Sequence, residues 1–316
     1  ATGAQTLDIT DTTLLGTAAG VTLTATITVG AKGQAAKTAN KMTQKTIVSN
    51  KGTPNGAAGT GTYTEIYGER VDDKTISLSY ADTYKLHAVF ESTAIGTTPV
   101  APTLTIASST GTFTVGEVIT GSSSGATGRV ILHSPTTKVN YVVLTGTFTT
   151  NDTISGASSG YTASVTATVL GGRNVTANYL LDTGQRDSYY DISRLSQKPE
   201  AVQPVGQLLV IFDYFSPGTG DYFDVDSYTG QITYDDIPQY LATKVDPESK
   251  APIGRYELRD ALDFRPGIQS QTAPTSSPFS FNNKNFFDPG SSAGNMVVPD
   301  DNVTITYDFY LPRLDL

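Results

Sequence analysis

Asp221, Asp224 and Asp226 place three carboxylates within six residues. Oxygen ligands at that density can hold a hard cation such as calcium. The pattern departs from an EF-hand loop, because Gly230 comes too late and no closing glutamate follows it. Asp224 and Asp226 would share one strand face with Asp221 in the preceding turn. A solvated acidic turn is therefore the expectation, and these three are the candidate ligands for any bound metal.

A second group could do acid chemistry. Arg186 and Asp187 stand beside Tyr189 and Tyr190, and Arg259, Asp260, Asp263 and Arg265 surround Leu262 and Phe264. Glycoside hydrolysis needs two carboxylates about 5 Å apart for retention or roughly 6.5–9.5 Å for inversion. Asp260, Asp263 and the Asp221 group could supply such a pair. The alternating signs favour another use, in which bidentate Arg–carboxylate pairs tie loops to a sheet. No catalytic residue and no cofactor are expected, and the chain does not read as an enzyme.

The chain has no cysteine and two histidines, which argues against thiolate or His-rich centres. His87 and His133 are expected at the surface or on an edge. The Gly-x-Ser-x-Gly strings at 121–125 and 156–160 lack the strand-to-helix setting of a nucleophile elbow.

Those two strings belong to something larger. Gly111-Thr-Phe113-x5-Ile119-x-Gly121-x-Ser123-Ser124-Gly125 recurs as Gly146-Thr-Phe148-x5-Ile154-x-Gly156-x-Ser158-Ser159-Gly160, at a constant offset of 35 residues. Drift in a flexible linker would not keep these positions in register, so the segment is two copies of one β unit. Each copy reads as a Gly-Thr-Phe strand, a polar turn, a short Ile-centred strand, a Ser-Ser-Gly turn and a closing strand. In the second copy Val165, Ala167 and Val169 alternate with threonines, as in a half-buried strand.

The elements around the repeats are also β. Val21, Leu23, Ala25, Ile27 and Val29 alternate with threonines, and Ile76, Leu78 and Tyr80 and then Tyr84, Leu86, Ala88 and Phe90 repeat the pattern. The run at 208–212 suits one buried strand. The expected fold is all-β with very little helix: serial β-sandwich or small β-barrel domains around a tandem duplicated module. The expected domains are a sandwich at 1–100, the repeats as an inserted module at 101–170, and a Tyr/Asp-rich β domain at 171–316. Phe279, Phe281, Phe286 and Phe287 lie in a Ser-, Pro- and Asn-rich stretch and are the candidate interface residues.

A net charge of −9 and the lack of a basic stripe argue against nucleic acid as a partner. No apolar run approaches the roughly 20 residues of a membrane-spanning helix, so no membrane insertion is expected.

Five blocks carry a resemblance: DTGQRDSYYD (182–191), QLLVIFDYF (207–215), GDYFDVDSY (220–228), LRDALDFRP (258–266) and YDFYLPRLDL (307–316). Together, over 74–316, they resemble a large virion structural protein of contractile-tailed bacteriophages infecting cyanobacteria. The unit STGTFTVGEVITGSSSGATG (109–128) is similar to a module inserted in many phage tail and fibre proteins. The resemblance implies a non-enzymatic tail, baseplate or fibre component in the virion, docked to other virion proteins and forming a three- or six-fold homo-oligomer. It also implies a longer parent polypeptide, because the YLPR block of that family continues into further sequence. The alternative is a module that binds host-surface polysaccharide.

Overall fold

An apolar strand with no polar face must be covered on both sides, and the run at 208–212 is buried throughout. Its surroundings show how. The computed structural model describes residues 33–47, 70–94, 97–134, 137–186, 190–218, 220, 222–238, 241–245, 252–257, 262, 263 and 265. Before the repeats come β1 (Lys37–Ile47), β2 (Thr75–Ala81) and β3 (Thr83–Glu91). Within them lie β4 (Thr103–Ala107), β5 (Val118–Gly121), β6 (Thr127–Ser134), β7 (Lys138–Thr145), β8 (Thr153–Gly156) and β9 (Thr162–Val169). After them come β10 (Arg173–Asn174), β11 (Tyr179–Asp182), β12 (Ile192–Gln197), β13 (Leu208–Pro217), β14 (Leu241–Val245) and β15 (Pro252–Glu257). The helical elements of the described residues are short 3-10 turns, so the fold is all-β.

One sheet has the order β1-β13-β3-β10 and a second β11-β12-β2, while β14 and β15 form a separate hairpin. The two larger sheets enclose Ile76, Leu78, Val89, Leu195, Leu208, Val210 and Phe212. The other face of the first sheet presents Met42, Ala88, Phe90, Leu209 and Ile211, and these pack on Ala101, Ile131 and Val142 of the repeat segment. Alternate residues of β13 thus enter two different cores.

This topology corrects the expectation of serial domains at 1–100 and 171–316. Within the described residues, β1 and β3 pair with β13, and β2 pairs with β12. Strands from before and after the repeats therefore build the same two sheets. Periodicity reports which face of a strand is buried, not which distant strand lies beside it. The expected module at 101–170 coincides with β4 to β9.

That module is a closed barrel of order β4-β7-β6-β5-β8-β9. Adding 35 carries β4, β5 and β6 onto the starts of β7, β8 and β9. Thr120 faces Ser155 and Leu104 faces Val139, and each of these pairs is its own image under the offset. A pseudo-two-fold axis therefore passes through both pairs. Even the bulges correspond: β4 skips Thr166 of β9, and β7 skips Ile131 of β6. Two expectations change in detail. The Gly-Thr-Phe segments are irregular backbone that plugs Phe113 and Phe148 into the core. In β9, Val165 is buried but Ala167 and Val169 are exposed, so alternation fails at its outer end.

The barrel core departs from symmetry in a compensated way. Tyr141 fills the place that Ile106 fills in the first copy, while Gly128 replaces the Ala163 of the second. A Cβ on Gly128 would lie 2.6 Å from the Tyr141 ring. Gly128→Ala should therefore cost about 1–3 kcal/mol by overpacking. Adding Tyr141→Ile, which restores the small–large pairing of the other copy, should recover most of that loss; chemical denaturation of the single and double variants measures it.

Candidate functional site

The acidic residues of the barrel act across the copies. Asp152 is fully buried; its Oδ1 accepts from the backbone N–H groups of Ser123 and Ser124, both at 2.9 Å, and its Oδ2 from Thr149 N–H at 2.8 Å. Glu117 is its image under the offset. Its Oε2 accepts from Ser158 and Ser159 N–H at 3.0 and 2.9 Å, and its Oε1 from Thr114 N–H at 2.5 Å. Each copy's carboxylate thus holds the Ser-Ser turn of the other. Burial alone would raise both pKa values, but the donated hydrogen bonds overcome it and hold both carboxyls below their usual range. Gly121 and Gly156 make room, since a Cβ would lie 3.0 Å from Asp152 Cγ and 2.6 Å from Glu117 Oε2. The repeated Gly-x-Ser-x-Gly strings are therefore carboxylate-binding turns.

A cleft of ≈ 780 Å³ opens where barrel and sandwich meet. Lys41 and Lys85 of the sandwich and Arg129 of the barrel line it, and the 230–236 segment adds Asp235 and Asp236. Lys41 and Lys85 are exposed and make no ion pair among the described residues. At its base, Asp213 Oδ1 accepts from Met42 N–H at 2.6 Å, which fixes the bulge where Met42 takes φ 53°. His87 Nε2 lies 2.8 Å from Asp213 Oδ2, close in distance though not aligned as a hydrogen bond. Burial, followed by the nearby Asp213 carboxylate, pushes the Tyr84 phenol pKa up.

A third cluster is closed to solvent. Lys37 Nζ lies 2.6 Å from Asp82 Oδ2 and 3.1 Å from the Tyr190 hydroxyl, with the Tyr190, Phe223 and Tyr228 rings 4.4, 4.5 and 5.0 Å away. Burial alone would lower the Lys37 pKa, but the Asp82 carboxylate together with the Tyr190 and Tyr228 hydroxyls more than offsets it and holds the ammonium well above its usual value. Tyr190 donates to Asp263 Oδ2, and Arg265 binds both Asp263 oxygens at 2.9 and 3.0 Å while lying over the Tyr190 ring. Two of the resembling blocks, 182–191 and 258–266, therefore meet in one buried network that reaches β1.

The residues singled out in the sequence fall as follows. Asp263 pairs with Arg265, and Arg186 pairs with Asp182 and Asp191, all as loop-tying contacts. Asp187, Asp260 and Arg259 lie outside the described residues, as do Asp221, Phe279, Phe281, Phe286 and Phe287. Asp224 caps a 3-10 turn by accepting from Ser227 N–H, and Asp226 is exposed on that turn. His133 is not at the surface: it lies in β6, 7% exposed, and its Nδ1 accepts from Phe113 N–H at 2.9 Å. The His87 side chain is equally enclosed. Sequence reasoning missed Lys37, Asp82 and Asp213. It also missed the roles of Glu117 and Asp152, whose matching place in the two polar turns was a usable signal. No protein-family model, curated protein or solved structure matches the chain.

Proposed function

We propose that this chain is a structural segment of a bacteriophage virion, in the tail, baseplate or fibre, acting through protein–protein contacts. The observation that carries this reading is the seating of the barrel: Ala101, Ile131 and Val142 close an apolar core against the sandwich. An inserted module fixed in this way transmits load and orientation rather than swinging on a tether. The ionic groups at the junction act in the same sense. Glu91 accepts from Val205 and Gly206 N–H and pairs with Arg173 at 2.5 Å, where the chain leaves the barrel. The resemblance of the five blocks supports this setting, and in this reading other virion proteins and further copies of this chain are the partners. Peptide mass spectrometry of gradient-purified virions tests it. Co-banding peptides from this chain are expected; their absence from intact particles overturns the reading.

A second reading, recognition of host-surface polysaccharide, is favoured by the cleft. Lys41 and Lys85, which make no ion pair among the described residues, face solvent beside carboxylates, which suits a ligand bearing acidic and hydroxyl groups. On a glycan array the full chain should then retain acidic oligosaccharides. Lys41→Glu with Lys85→Glu should weaken that binding by about tenfold or more; unchanged binding removes the cleft from this role.

A further inference from the structure

Lys37 and Asp82 form the most enclosed acid–base pair among the described residues, with side chains 2% and 8% exposed. Asp82 joins β2 to β3 and takes φ 56°, a left-handed backbone uncommon outside glycine, asparagine and aspartate. Phe215 N–H donates to its carbonyl at 3.0 Å and helps to hold it there. The two carboxylate oxygens are differently used: Oδ2 faces Lys37 Nζ at 2.6 Å, and Oδ1 accepts from Gln185 Nε2 at 3.1 Å. Tyr190 accepts from Nζ and passes a hydrogen bond on to Asp263.

We propose that Lys37 and Asp82 condense to an intramolecular isopeptide bond between Nζ and Cγ. The contact holds nucleophile and electrophile together at high effective concentration. One proton first moves from Nζ to Asp82 Oδ2 along the contact, giving an amine and a carboxylic acid, the neutral forms that burial favours. The Nζ lone pair then adds to Cγ, and the Gln185 amide donates to Oδ1 where negative charge develops. A second proton leaves nitrogen for Oδ2 along the same Nζ–Oδ2 contact. The Cγ–Oδ2 bond breaks with its electron pair, and Oδ2 departs as water carrying both protons. One C–N bond forms and one C–O bond is lost, with no oxidant or reductant required. The ammonium is the resting form, so condensation follows folding slowly.

The bond would act where the fold most needs it. Among the described residues β1 pairs with β13 alone and forms the edge of its sheet, and the chain has no cysteine with which to staple it. An amide from Lys37 to Asp82 closes a covalent loop across 45 residues.

Intact-mass measurement of the purified full chain, denatured after several days at room temperature, is the test. A mass about 18 Da below that of the sequence is expected, with a branched peptide joining Lys37 and Asp82 in the digest. Lys37→Arg and Asp82→Ala should each restore the sequence mass. Asp82→Asn should still cross-link, losing ammonia, about 17 Da, instead of water. A wild-type chain that is folded by circular dichroism and keeps its full sequence mass overturns the proposal, whatever the variants do. So does a loss that maps to any other pair of residues.

Discussion

Asp152→Ala is expected to destabilise the barrel by about 3 kcal/mol, the largest effect of any single truncation of a polar side chain there. The carboxylate accepts from three backbone N–H groups, and none of these gains a protein acceptor when it is removed. An unsatisfied buried donor costs about 1–3 kcal/mol, and water entering at the Ser-Ser turn offsets part of the sum. Asp152→Asn should fall between wild type and alanine. Its amide has one accepting oxygen and must present N–H groups to either the Ser123–Ser124 pair or Thr149. Glu117→Ala should repeat the effect on the opposite turn, and the ordering is read from urea unfolding.

The same carboxylates give the barrel a pH dependence of definite sign. Both are held below their usual range when folded, whereas in the unfolded chain they protonate near pH 4. The unfolded state therefore takes up protons first as pH falls, and it is favoured. Their contribution is complete above about pH 5 and is lost progressively below it, toward the depressed folded values. The thermal midpoint should fall across that window, and Asp152→Asn should flatten the slope. A variant that melts with the wild-type slope would mean that other groups set the acid limit.

Part of this arrangement was legible in the residues. The offset of 35 marked two copies of a β unit, and the run at 208–212 marked a strand covered on both faces. The alternating signs at 258–266 pointed to ion pairing, and Asp263 and Arg265 do pair. What was not legible depends on distances that no local pattern encodes. Lys37 meets a tyrosine 153 residues away and Asp82 meets a glutamine 103 away, each through the stacking of sheets. The histidines misled for a related reason. His87 alternates with Leu86 and Ala88 and His133 sits close to Pro135, so both look exposed, yet the His133 ring replaces a backbone acceptor for Phe113 inside the barrel. The interleaving of strands from both sides of the insertion was hidden in the same way, since the pairing of β1 with β13 spans the whole barrel.

Replacing Ile131 by threonine and Val142 by alanine should release the barrel from the sandwich while leaving its own core closed. The two residues are 2% and 4% exposed, and both look outward from the barrel into the shared apolar layer. Their images under the offset are Thr166 and Ala107, which are exposed on the barrel and tolerated there. The double variant thus writes the undocked copy's residues onto the docked one, and it inserts nothing that the barrel fold does not already carry. Removing about three buried methyl groups and burying a hydroxyl against Phe90 and Ile211 should cost about 3–4 kcal/mol of docking free energy. Barrel and sandwich would then unfold in two transitions rather than one, and protease would gain access to the connections at 97–102 and 170–172. A single sharp transition in the variant would show that the ties at Glu91 suffice to hold the module in place. Unfolding of the barrel itself would show that docking, not only the paired carboxylates and the internal core, keeps it closed.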